Sequence, residues 1–275
     1  MSRAPRSFPI PNLPALAEFA KIGFVNMLAF RLRYYTGILT YFINVTVYYF
    51  IWRAVYEADP GFASLSFREM LTYVSVAWII RSLYFNNIDV QISQDIIEGK
   101  ITTALLKPID LQAATIARAL GEAAFRMIML TVPSAIVLFL VYRLQPPSSF
   151  TAFALFLLAL LASVLIVSAL NFIVGGFAVK MKSILGLLRA KFYIMDLLSG
   201  LIVPISLFPA PFREISEALP FQHIVYTPLM LYLGKLNGAE ALWELGVSWA
   251  WVAGMIAMGS LFWRRMMRHM TIHGG

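Results

Sequence analysis

The sequence predicts an all-α polytopic membrane protein with six transmembrane helices and an amphipathic interface helix ahead of the first. Three observations carry this. Of the 275 residues, 60% are hydrophobic and only 13% charged, where a soluble domain carries about 25% charged residues; mean hydropathy is +0.76. Apolar stretches near the ~20 residues that cross a hydrocarbon core recur along the chain. Lysine and arginine gather in some connecting segments and are sparse in others, as the positive-inside rule requires of a multi-pass protein.

Residues 1–12 are proline-rich and carry Arg3 and Arg6. They lack the apolar core and small-residue cleavage site of a signal peptide and read as a disordered cytosolic tail. Over 13–33, Leu16, Phe19, Ala20, Phe24, Met27, Leu28 and Leu32 recur at helical spacing. Glu18, Lys21, Asn26, Arg31 and Arg33 fall between them, so this segment predicts an interfacial helix too polar to span. The first span, about 35–55, is rich in tyrosine and β-branched residues, but a lone strand in lipid would leave its backbone unsatisfied, so helix wins. A polar loop with Glu57 and Asp59 leads to a second span at about 70–88. Arg81 lies inside it and either faces a bundle interior or snorkels to the surface.

The third span, about 119–142, carries Glu122 and Arg126 at i,i+4 spacing, able to pair on one face, and Pro133, which predicts a kink. A short turn with Pro146-Pro147 leads to the fourth, about 150–179, long enough to tilt or protrude. Asn171 and Gly175-Gly176 near its end predict close helix packing or local irregularity. A basic segment, 180–191, precedes the fifth span at about 192–208, with Asp196 near its start and Pro204 near its end. Residues 208–235 are broken by Pro209, Pro211, Pro220 and Pro228 into apolar runs too short to span, which predicts re-entrant or interfacial half-helices. The sixth span, about 241–263, offers Trp243, Trp249, Trp251 and Trp263 as interfacial belt residues. Residues 13–264 therefore form one transmembrane domain, with a basic tail at 265–275.

Between spans two and three, the stretch Val90–Arg118 is dense in polar and charged residues. Ile92, Ile96, Ile97, Ile101 and Leu105 recur at helical steps, with Asp95, Glu98 and Lys100 off that stripe. Gly99 interrupts the pattern and Lys107-Pro108 should end it. Periodicity leaves two readings open: an amphipathic helix flat on the membrane with its polar side toward an aqueous partner, or a solvated loop.

Orientation follows from the basic residues. One side carries Arg3, Arg6, Lys21, Arg31, Arg33, Lys100, Lys107, Arg118, Lys180, Lys182, Arg189, Lys191, Arg264, Arg265 and Arg268; the other only Arg53, Arg68, Arg143, Arg213 and Lys235. The rich side is the cytoplasm. An even number of spans puts both termini there, with the 90–118 stretch and the basic segment.

The chemistry on offer is limited. No cysteine is present, so there is no disulfide framework, thiolate metal site or cysteine nucleophile. No phosphate-binding G-x-x-x-x-G-K-[ST] occurs, and His223, His269 and His273 are scattered rather than paired as metal ligands. The net charge of +8 is explained by span ends, and no nucleic acid is expected. Asp95, Glu98 and Asp110 lack the repeated-aspartate spacing of a metal-dependent lipid transferase.

The run Asp95-Ile96-Ile97-Glu98-Gly99-Lys100-Ile101, followed by Leu105-Leu106-Lys107-Pro108, resembles the cytosolic signature of ABC-2 type transporter permeases, in their short six-span subgroup. Leu219-Pro220-Phe221, Tyr226-x-Pro228 and Gly234 are similar to that family's outer re-entrant region. The resemblance implies a permease subunit in the plasma (inner) membrane of a prokaryote, exporting an amphipathic or hydrophobic substrate. It implies a second permease subunit, identical or paralogous, within membrane lipid, and cytosolic ABC ATPase subunits that hold the ATP and Mg; this chain itself would carry no cofactor and no catalytic site. The segment 90–108 would be the coupling helix, with Asp95, Glu98, Gly99, Lys100, Lys107 and Pro108 at the ATPase contact. Arg81, Asn171 and Asp196 remain as intramembrane polar candidates. The competing readings are a polytopic membrane enzyme acting on lipids and, behind it, a passive channel.

Overall fold

A computed structural model describes residues 13–29, 32–62, 64–181 and 183–268, without the side chains of 32 and 33. The tail at 1–12 with Arg3 and Arg6, and also Arg31, Lys182, His269 and His273, lie outside the described residues. Every regular element among those described is helical.

Helix α1, Leu13–Leu28, lies along α6, Leu111–Arg126. Two glycines permit the crossing. A Cβ on Gly121 would stand 1.7 Å from the Ala20 carbonyl oxygen, and one on Gly23 would stand 2.2 Å from that of Arg118. Phe24 adds an edge-on contact to Phe125 at 5.3 Å.

Helix α2, Leu32–Ala58, leaves Tyr35, Leu39, Ile43, Val47 and Phe50 exposed as one helical stripe. Helix α3, Phe67–Tyr84, opens on a capping box in which Ser66 and Glu69 satisfy each other's backbone N–H. From Met70 to Tyr84 only Trp78 and Arg81 are not fully buried. This helix is therefore central, because it is apolar or small on nearly every face. It ends four residues before the predicted boundary at 88, where Phe85 turns extended. Helix α4, Ile88–Ile97, and the short α5, Ile101–Leu105, follow. Gly99 joins them in the left-handed conformation, φ 74°.

Asp110 caps α6 by accepting from the Ala113 N–H at 2.8 Å, so the helix begins at 111 rather than the predicted 119. It passes through a π-helical turn, Met127–Thr131, into α7, Val132–Tyr142. The kink expected at Pro133 takes this form: the ring removes a donor and crowds the preceding turn, and the backbone widens there. Helix α8, Phe150–Gly176, is capped by Ser149 and extended by a 3₁₀ turn, Phe177–Val179.

The fifth segment differs most from expectation. Helix α9 runs Leu185–Leu198, earlier than the predicted 192–208. Gly200, at φ 79°, then turns the chain, and the Tyr73 hydroxyl donates to its carbonyl at 2.6 Å. The proline-broken region folds as short pieces: a 3₁₀ turn at Ile205–Leu207, α10 at Ala210–Ala218, a second 3₁₀ turn at Pro220–His223, and α11 at Tyr226–Tyr232. Helix α12, Gly238–Met267, closes the described chain and packs on α8. Of its tryptophans, Trp243 is exposed, but Trp263 is buried 5.5 Å from the Phe172 ring and is a packing residue rather than a belt residue.

Among the described residues, four helical stretches are long and apolar enough to cross a membrane: Tyr34–Ala58, Leu111–Tyr142, Phe150–Val179 and Gly238–Met267. Helix α3 carries Arg68, Glu69 and Arg81 in its 18 residues, and α9 has only 14. Three connections share one end of the bundle. Lys235 pairs with Glu69 at 2.6 Å, the Gln145 N–H donates to Thr72 at 3.1 Å, and the Ser148 N–H donates to the Tyr232 carbonyl at 3.1 Å.

Candidate functional site

The candidate site is built on α4, the turn after it, and α5. Helix α4 buries Ile88, Asp89, Ile92 and Ser93. Ile92 lies against Gly175 of α8, where an added Cβ would meet Ile92 and the Asp89 backbone at 2.9 Å. Ile101 is buried beyond the turn, with Ile96 and Leu105 packed beside it. Ile97 departs from the expected stripe: it is 58% exposed, because consecutive residues on a helix cannot share a face.

Four of the sequence-predicted contact residues, Asp95, Glu98, Gly99 and Lys100, lie together at the end of α4. Glu98, Gly99 and Lys100 are exposed at the tip, with Asp95 half-buried beside them. Lys100 pairs with Glu98 at 2.5 Å. That hydrogen bond and charge hold the Lys100 ammonium above its ordinary value, so it is fully protonated at neutral pH. Lys107 and Pro108 are exposed in the next connection, where the Lys107 ammonium stands 5.9 Å from the Phe19 ring centre. A Cβ on Gly99 would meet nothing within 4 Å. The glycine is required there by its positive φ alone. Ile97 and Leu106, the latter 85% exposed, give this edge an apolar component.

At the other end of α4 from this edge lies a buried charged network. Asp89, fully buried in the first turn of α4, pairs with Lys191 of α9. The Lys191 ammonium also donates to Asn171 Oδ1 at 2.6 Å, and the Asn171 amide donates to Asn86 Oδ1 at 2.8 Å. Asn86 in turn donates to the Ser168 hydroxyl at 3.3 Å. Two charges taken out of water persist only when paired and hydrogen-bonded in this way. Asn171 is a candidate from the sequence; Asp89 and Asn86 are not, and Lys191 reads there as part of a basic segment. One signal was available. Lys191 sits between Leu188 and Met195 on the buried stripe of α9, and a lysine on an apolar face needs a buried partner.

The other two intramembrane candidates meet each other. Arg81 Nη2 lies 3.0 Å from Asp196 Oδ2, which ties α3 to α9. The Arg81 guanidinium faces α9 and lies 5.3 Å from the Trp78 ring centre. The rings of Phe85 and Phe192 stack at 5.9 Å between the two ion pairs. Helix α9 thus reaches α3 and α4 through long side chains. The expected Glu122–Arg126 pair forms at 2.8 Å, and Arg126 also donates to the Phe85 carbonyl. Among the described residues, no three His, Asp or Glu side chains converge as a metal site.

These features define a polytopic α-helical membrane protein with charged groups buried between its helices and a mixed polar and apolar edge at one end. Its membership is given by comparison: the family described as ABC-2 family transporter protein matches residues 42–274, and the chain belongs to it. Such a chain is a transport component and not itself a catalyst. Among curated proteins, none matches it.

Proposed function

We propose that this chain is the permease subunit of an ATP-driven exporter, and that the edge formed by α4 and α5 docks a separate cytosolic ATPase subunit that binds ATP and Mg. One observation supports this above the rest: α4, which carries the exposed turn at its C-terminal end, is anchored at its other end by the Asp89–Lys191–Asn171 network. A force applied at Glu98 and Lys100 is carried through α4 into α8 and α9 together, because α4 packs on α8 at Gly175 and parting Asp89 from Lys191 would leave each charge buried without its partner. Packed elements with two discrete arrangements convert such a push into a switch between states.

In this reading the chain crosses the membrane six times, through α2, α3, α6 with α7, α8, α9 and α12, and both termini are cytosolic. The grouping of the 59–66, 143–149 and 233–237 connections at one end supports the count. Helix α9 spans about 21 Å at 1.5 Å per residue, and the short pieces from 199 to 232 complete its side as a re-entrant segment. The membrane is the inner membrane of a prokaryote, the cargo amphipathic or hydrophobic, and a second permease subunit completes the pathway.

The test is recruitment. Glu98→Lys places like charges at the tip and breaks its pairing with Lys100 without touching a buried residue. Membrane abundance should be normal, while co-purification of the co-expressed ATPase subunit and cargo-stimulated ATP hydrolysis should both fall. If the variant recruits and stimulates the ATPase as the parent does, the edge is only a solvated loop.

A further inference from the structure

Buried polar atoms without hydrogen-bond partners are rare in folded proteins and call for an explanation. Of the nine such side-chain atoms among the described residues, four gather around one ion pair: Arg81 Nε, Asp196 Oδ1, Trp78 Nε1 and Tyr84 Oη. The Arg81–Asp196 contact uses one nitrogen of the guanidinium and one oxygen of the carboxylate. The Trp78 ring lies beside the guanidinium, and Tyr41 of α2 stands 5.9 Å from that ring. The Tyr84 hydroxyl lies beside the Arg81 guanidinium, which can donate to it, and its own proton has no acceptor. The cluster is not sealed, since the Arg81 and Asp196 side chains are 21% and 18% exposed. It sits one turn from the α4 end of α3, at the depth of the cytosolic half of the bundle.

We propose that this cluster binds the polar head of the transported molecule, and that this head is a zwitterion, an oxyanion and an ammonium on an apolar tail. The unused groups set the chemistry. Arg81 Nε–H, Trp78 Nε1–H and the Tyr84 hydroxyl are three donors without an acceptor, which is what an oxyanion supplies. Asp196 Oδ1 is a charged acceptor without a donor, and with the aromatic rings it suits an ammonium. Charge balance points the same way: the Arg81–Asp196 pair is already neutral, so a head with net charge would stand uncompensated at membrane depth, and a zwitterion would not. Trp78 and Tyr84 are specificity-determining residues in this scheme, since neither side-chain proton has an acceptor in the fold.

The inference rests on the permease reading, but its test needs no ATPase, so the two can fail separately. The full chain is placed in phosphatidylglycerol nanodiscs with a fluorescent single-chain amphiphile bearing a phosphocholine head. Companion probes carry the same tail with a trimethylammonium or a sulfate head. The zwitterion should bind about tenfold more tightly than either companion. Tyr84→Phe deletes one oxygen whose proton has no acceptor in the ligand-free chain, so thermal stability should hold. Trp78→Phe also shrinks a ring packed on Tyr41 and Tyr48 and should lower it modestly. In both, zwitterion binding falls about tenfold, the equivalent of one lost hydrogen bond. Absence of binding to the parent chain, indifference to head charge, or parent-like binding by both variants would overturn the proposal. Repeating the assay in phosphatidylethanolamine discs separates sources: if binding collapses there, a bilayer lipid occupies the site and the assignment to cargo is wrong.

Discussion

Asp89 and Lys191 stand 102 residues apart in sequence and are both buried, and the fold around them is arranged to keep them so. Asn171 takes the second lysine proton, Asn86 fixes Asn171, and Gly175 lets the Asp89 backbone come within contact of α8. Such a pair contributes little against an apolar isostere, but breaking it leaves a lone charge. Lys191→Met should therefore lower stability by about 3–5 kcal/mol, read as a fall in thermal unfolding temperature in detergent. Asp89→Asn added to Lys191→Met removes the orphaned charge and should recover a large part of the loss. A single variant as stable as the parent, or a double variant no better than the single, would show that the pair is not the anchor described. Nothing in the local pattern of either residue points to the other. Pairings of this kind depend on tertiary proximity, and only the misplaced lysine on the α9 stripe hinted that one existed.

At the level of elements, close backbone approach is the recurring device. The α1–α6 crossing at Gly23 and Gly121 has no room for a methyl group, because the obstructing atoms are backbone carbonyls that cannot rotate away. Gly121→Ala should force the helices apart at a cost of about 1–3 kcal/mol and speed amide exchange across α1. Gly246→Ala and Gly254→Ala on α12, where an added Cβ meets nothing within 4 Å, should instead be neutral or stabilise by up to about 1 kcal/mol. Equal effects at all three positions would refute the crossing. Long apolar runs made α2, α8 and α12 legible to within a few residues, since spanning length is a local property. Helix α9 was not legible in the same way: its first two turns hold Arg189 and Lys191 and read as a loop, while the apolar residues after Ser199 bend away at Gly200. The two turns at Ile205–Leu207 and Pro220–His223 and the short α10 and α11 fall where the prolines at 209, 211, 220 and 228 required breaks.

For the whole molecule, sidedness joins the parts. The Lys235–Glu69 pair and the backbone bonds from Gln145 and Ser148 draw three connections to one end, and the edge formed by α4 and α5 belongs to the other. The chain has no cysteine, so every thiol is an introduced one. Single cysteines at Ser64, Ser148 and Asn237, all exposed, should react with a membrane-impermeant reagent on intact cells, and one at Ser183 should react only after permeabilisation. Mixed labelling among the first three would break the six-crossing arrangement.

The same cysteine-free background gives the most direct test of the central claim, that the exposed edge between α4 and α5 receives an ATPase subunit. A photo-activatable cross-linker is placed at Ile97, at Leu106 and, at the opposite end, at Ser148, and each variant is irradiated in membranes containing the co-expressed ATPase. The account predicts adducts to the ATPase from Ile97 and Leu106 and none from Ser148. Adducts from Ser148, or none from either edge position while the ATPase remains bound to the permease, would contradict it.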